Sequence, residues 1–115
     1  MTKYTSGLLL SYVMARPTFK QLFINDGAEE IDLVQLMNKK NWKRRTKEKQ
    51  KGDVEIPSGD VEEINKALLG KVAGTRPWVR VFDFEPKESL GRDYRIEIMT
   101  TTDDTEIVGW SMSGD

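Results

Sequence analysis

The last forty residues hold three short runs in which apolar and polar residues alternate, each bounded by turn residues; runs of this length and period are read as strands. Trp78 to Glu85 places Trp78, Phe82 and Phe84 on one face and Val79 and Val81 on the other. Asp93 to Thr101 sets Tyr94, Ile96 and Ile98 against Arg95 and Glu97. Asp103-Asp104 is expected to make the turn into Thr105 to Met112, with Ile107 on one side and Val108 and Trp110 on the other. Together these runs predict an antiparallel C-terminal meander.

Upstream the pattern is more mixed. Gly7 to Ala15 is almost continuously apolar, which fits a strand buried on both faces or a short helix. Arg16-Pro17 interrupts it, because a residue before proline is pushed toward extended geometry. Phe19 to Ile24 is short and aromatic-rich and ends at Asn25-Asp26-Gly27, a strong turn signal. The preferred reading of 7–25 is therefore two strands. From Glu29 to about Lys47 the reading is a helix, with acids in its first turns and bases at its end. Leu33, Leu36 and Met37 share its apolar face, and Trp42 projects away from that stripe. A second helix is expected after Pro57-Ser58-Gly59, capped by Asp60 or Ser58, with Val61, Ile64, Leu68 and Leu69 inward and Gly70 as its stop. The expected architecture is a single α+β domain over 1–115, one or two helices packed on a mainly antiparallel sheet of three to five strands.

Missing residue types remove whole classes of chemistry. Cysteine and histidine are both absent. There is thus no disulfide framework, thiolate metal site, thiol nucleophile or histidine-based triad, and acid–base catalysis would fall to strongly shifted Asp, Glu, Lys or Tyr. The chain is expected not to be an enzyme and to carry no cofactor. Carboxylates along the meander (Asp83, Glu85, Glu88, Asp93, Glu97, Asp103, Asp104, Glu106) match no calcium loop, and Arg95 between Asp93 and Glu97 predicts a neutralised solvent face rather than a metal site. Gly70-Lys71 lacks the surroundings of a phosphate loop. No apolar stretch approaches the 20 or so residues of a membrane span, so no membrane association is expected. The short apolar core at Leu8 to Ala15, behind a single lysine and followed by Pro17, reads as buried structure rather than a secretory leader, and the expected location is the cytoplasm.

Charge is the one uneven feature. The chain has 18 Lys+Arg and 19 Asp+Glu, close to neutral. Residues 39–51, however, hold eight bases and one acid, a local +7, while 53–115 hold seven bases and fourteen acids, a local −7. The functional reading is a basic arm, a helix end or loop at 39–51 that binds nucleic acid, DNA or RNA, with little sequence specificity. Its expected contacts are Lys39, Lys40, Trp42, Lys43, Arg44, Arg45, Lys47, Lys49 and Lys51, with Trp42 stacking on an exposed base. The plainer reading makes the run a solvated helix end, where bases belong in any case. Trp78, Phe82 and Phe84 could also form a platform for bases, but such a stripe is more often the core face of a sheet. The protein is then a small accessory or regulatory protein. The alternative is a protein-binding adaptor or inhibitor that presents its acidic half as a nucleic-acid mimic, or pairs an exposed sheet edge, the N-terminal segment or Thr105 to Met112, with a partner or a second copy.

Overall fold

Pro17 separates two helices rather than two strands. A proline at the first helical position costs nothing, because that N–H has no partner inside the helix, and the extended residue before it starts a new element. In the computed structural model, which describes residues 3–48, 52–55, 59, 61–87 and 93–114, α1 (Ser6–Met14) ends just before Arg16 and α2 (Pro17–Asn25) begins just after it. Arg16 is extended, at φ −75° and ψ 134°. The apolar run that suggested a strand is a helix buried along one side: Leu9, Leu10 and Val13 are buried on α1, as are Phe19, Leu22 and Phe23 on α2. The Thr5 hydroxyl accepts from Leu8 N–H and starts α1.

α3 (Glu30–Leu36) is much shorter than the helix expected over 29–47. Asn38 accepts a hydrogen bond from Lys40 N–H through its side chain and opens a 3-10 turn, Lys39–Asn41, after which the basic segment becomes β1 (Trp42–Glu48). The expected second helix is also divided. Its first residues form β2 (Val61–Ile64), and α4 (Lys66–Val72) starts one residue later, where Asn65 Oδ1 accepts from Leu68 N–H at 3.2 Å. Gly70 does not stop α4; the chain turns at Gly74, whose φ of +80° few other residues adopt. Both caps proposed for that helix, Ser58 and Asp60, lie outside the described residues.

The meander forms as expected: β3 (Trp78–Phe84), β4 (Tyr94–Thr100) and β5 (Ile107–Gly114). The five strands make one antiparallel sheet in the order β1-β3-β4-β5-β2. An α+β fold therefore stands, with four α-helices among the described residues instead of one or two. Two expected edges are not edges. The N-terminal segment is helical, and β5 lies between β4 and β2, so the sheet ends at β1 and β2.

The sheet has a helical layer on each face. α1, α2 and α3 cover Trp42, Phe82, Phe84, Tyr94, Ile96, Ile98, Trp110 and Met112. On the opposite face α4 sets Leu68 and Val72 against Val79, Met99 and Val108. Phe82 and Phe84 are thus core residues under helices, not a platform for bases. The meander departs from strict alternation once. Met99 pairs with Gly109 but Thr100 pairs with Ile107, which leaves Val108 as the extra residue of a bulge. The bulge inverts the faces beyond it: Ile107 joins the core of Trp110, and Val108 joins that of Met99.

One ion pair closes the β4–β5 turn. Arg80 is buried at the end of the core, and its guanidinium donates to both carboxylate oxygens of Asp104 at 2.6 Å, with a further bond to Thr100 Oγ1 at 3.1 Å. Asp104 has a φ of 61°, and its carbonyl accepts from Tyr4 N–H, so the same residue ties the chain start to the sheet. The hydrogen bonds from Arg80, then Thr100, outweigh the cost of burial and hold the Asp104 carboxyl below its ordinary 3.8. A carboxyl lowered in this way stabilises the fold above pH 3.8 and loses that contribution as pH falls further. Asp104→Asn keeps a residue type that tolerates positive φ and should cost about 3 kcal/mol at pH 7, as expected when one partner of a mostly buried pair loses its charge. Urea unfolding at pH 7 and at about pH 2 checks this, because the gap between wild type and variant should close in acid.

Candidate nucleic-acid interface

The basic segment is positioned by what happens at its two ends. The 3-10 turn faces Lys39 and Lys40 to solvent while Asn41 is buried. Asn41 Nδ2 donates to Gln35 O at 2.9 Å, and its carbonyl accepts from Glu85 N–H, which joins the end of α3 to the end of β3. Trp42 is then drawn inward. Its Nε1–H donates to Leu36 O at 3.0 Å, using a carbonyl that the helix C-terminus leaves free. The indole packs against Phe84 at 5.1 Å and Phe19 at 6.4 Å between ring centroids.

Trp42 is only 5% exposed, and this overturns its expected role. A base cannot stack on an indole enclosed by two phenyl rings and a helix terminus. Nor is the segment a protruding helix end or loop with cations pointing in every direction. From Trp42 to Glu48 it pairs residue by residue with Phe84 to Trp78 of β3, so its side chains alternate between two faces. Lys43 and Arg45 share one face and Arg44 takes the other, on the same side as Trp42 but exposed. Lys47 lies on this strand, with a side chain outside the described set, and Lys49 and Lys51 fall outside the described residues.

Five expected contacts thus remain together at the rim: Lys39, Lys40, Lys43, Arg44 and Arg45, all exposed. They are not equally free to meet a ligand. Lys39 Nζ donates to Ser11 Oγ at 3.0 Å. Arg45 pairs with Asp83 Oδ2 at 3.1 Å, and Arg44 also has a partner. Asp83 is the residue that sequence reasoning missed here, since only the β1–β3 register brings it opposite Lys43. Its other oxygen accepts from Arg95 Nε at 2.8 Å. Partial burial raises the Asp83 carboxyl, but the hydrogen bonds and charges of Arg95 and Arg45 outweigh this and leave it below 3.8. One carboxylate between two guanidiniums leaves the patch cationic. The Arg45–Asp83 pair is surface-exposed, so it contributes about 0–1 kcal/mol and a stronger anion can displace it.

Among the described residues the meander carboxylates do not converge. Asp103 is occupied by its own turn, accepting from Thr101 Oγ1 and Thr105 Oγ1 at 2.7 Å each, while Asp104 is held by Arg80. Among the described residues no three Asp or Glu side chains gather as a metal site would require. No helix among them is long and apolar enough to cross a membrane.

Burial of Trp42 leads to a direct prediction. Trp42→Ala should destabilise the fold by about 3–5 kcal/mol, the usual cost of removing a core aromatic. Trp42→Phe should retain the fold and leave oligonucleotide affinity unchanged within about twofold, since the buried indole is not accessible to a base. Chemical denaturation and fluorescence anisotropy on the two variants check both statements.

Compared with known proteins, the chain matches no family model, no curated protein and no solved structure.

Proposed function

We propose that the protein is a non-enzymatic accessory factor that binds nucleic acid through the phosphate backbone, using Lys39, Lys40, Lys43, Arg44 and Arg45. One observation carries this reading: five exposed cations within seven consecutive positions, two on the 3-10 turn and three along the outer strand that it leads into. A strand rises about 3.3 Å per residue, so Lys43 and Arg45 lie about 6.6 Å apart on one face, comparable to successive phosphates on an extended strand. Rigid backbone pairing to β3 fixes that spacing before any ligand arrives, which lowers the ordering cost of binding. The rest of the chain is acidic and repels phosphate, which favours contact at this rim. Recognition is then by charge and shape rather than base identity, because the sequence carries no base-reading motif. The cysteine-free composition accords with a cytoplasmic site of action.

A second reading draws on the same strand. β1 is at an edge of the sheet, and its backbone could receive an extended segment of a protein partner. The two readings separate by salt. Five phosphate contacts give a log–log salt slope of about −3.5 on single strands and about −4.5 on duplex, whereas strand addition depends on salt much less.

The test is fluorescence anisotropy with DNA and RNA oligonucleotides over a salt series. Binding should be micromolar or tighter at low salt, and Lys43, Arg44 and Arg45 replaced together by Ala should weaken it at least about tenfold and flatten the slope by about 2–3. Asp83→Asn should strengthen it, because Arg45 and Arg95 lose the carboxylate that competes with phosphate. Absence of binding to any oligonucleotide at low salt would overturn the proposal.

A further inference from the structure

The outer side of the helical layer carries a second surface that phosphate binding does not explain. A groove of about 670 Å³ runs between α1 and α3, with Met14 and Ala15 on one wall, Val34 and Met37 on the other, and Lys39 and Lys40 at one end. Val34 is 71% exposed, the most exposed large hydrophobic side chain among the described residues. Leu8, also exposed, lies one and two turns ahead of Ser11 and Ala15 on α1, with the polar Ser11 between it and the apolar wall of the groove. A single exposed valine needs no explanation, but a groove that sets Val34 beside Met14, Ala15 and Met37 gathers several apolar side chains on one open surface between two helices.

Charge and shape together limit what fits. α1 contains no charged residue, and the acids of α3, Glu30 and Asp32, are in its first turn, at the opposite end from Met37 and the two lysines. The Lys39 ammonium is held at the rim by Ser11 Oγ. The groove is therefore lined by four apolar residues together with the polar Ser11 and Asn38, and its only charged lining residues are the two lysines. An acyl chain requires walls that close around it, and this groove is open to solvent. Two flexible methionines on facing walls suit a surface that adapts to an inserted side chain. α1 is nine residues long, about 13.5 Å, the span of two and a half turns of a docked helix.

We propose that this groove docks an acidic amphipathic helix of a partner protein. Its aliphatic side chains at i, i+3 or i+4, and i+7 would lie against Met14, Ala15, Val34 and Met37, and an Asp or Glu near one end would meet Lys39 and Lys40. Docking there shares only those two lysines of the 3-10 turn with the phosphate site, so the protein could join a partner and a nucleic acid, or exchange one for the other where both need Lys39 and Lys40.

The experiment uses a fluorescein-labelled peptide of about 14 residues, with leucine at i, i+3, i+4 and i+7 and glutamate at most other positions, and a scrambled peptide of the same composition. The patterned peptide should bind the full chain at about 10–100 μM, and the scrambled one at least about fivefold more weakly. Val34→Glu should weaken binding at least about tenfold without lowering the thermal midpoint, since the side chain is exposed. Lys39→Glu with Lys40→Glu should weaken it as well, whereas the triple Ala variant at Lys43, Arg44 and Arg45 should leave it unchanged, separating this groove from the phosphate site. Equal binding of both peptides, or indifference to Val34→Glu, would overturn the proposal. So would a Val34-dependent dimer in sedimentation, or Val34-dependent binding to phosphatidylserine vesicles with no binding of the peptide.

Discussion

The arrangement of this molecule depends on the burial of one indole. Trp42 comes directly after a 3-10 turn and enters the core beneath the N-terminal helices, with its N–H satisfied by the last carbonyl of α3. A buried indole without a partner would forfeit a hydrogen bond, so the position is favourable only because Leu36 O lies within reach. Fixing Trp42 fixes the direction of the chain beyond it. β1 then pairs along β3, and the cations of that strand are carried to the outer edge of the sheet.

An edge strand so rich in lysine and arginine has two consequences. Charge on an outer strand discourages uncontrolled pairing with other chains, since its partner would bury unpaired cations. In the proposed function the same charge, exposed and rigidly spaced, is what attracts phosphate. Asp83 and Asp104 illustrate how differently two carboxylates can handle arginine. Asp104 and Arg80 form a mostly buried, two-pronged pair that closes a turn and anchors the chain start. Asp83 lies nearer solvent between Arg45 and Arg95, where it tempers the cationic patch without cancelling it.

How legible these features were depends on how local their causes are. The three meander strands were readable because Trp78 to Phe84, Tyr94 to Thr100 and Ile107 to Gly114 each alternate over a short run between turns. Even there, the Val108 bulge was invisible, since it arises from pairing with β4 and not from the run itself. Gly7 to Ala15 was misread because a short apolar run has the same composition in a buried strand and a buried helix. Residues 42–48 were misread for the opposite reason. Lysine and arginine favour helix weakly, and pairing with β3 overrides that preference.

The candidate site divides in the same way. The sequence alone determined that cations are concentrated in 39–51, that acids dominate residues 53–115, and that cysteine and histidine chemistry is absent, because these are properties of composition and order. It also indicated an α+β chain, because the period-2 pattern of the meander and the helical signals after Glu29 are each written over a few residues. Only the tertiary structure decided that Trp42 is core, that Asp83 opposes Lys43 and that the cations lie on two faces of an outer strand. Each of these depends on residues distant in the chain meeting in one register, and no local pattern encodes a register.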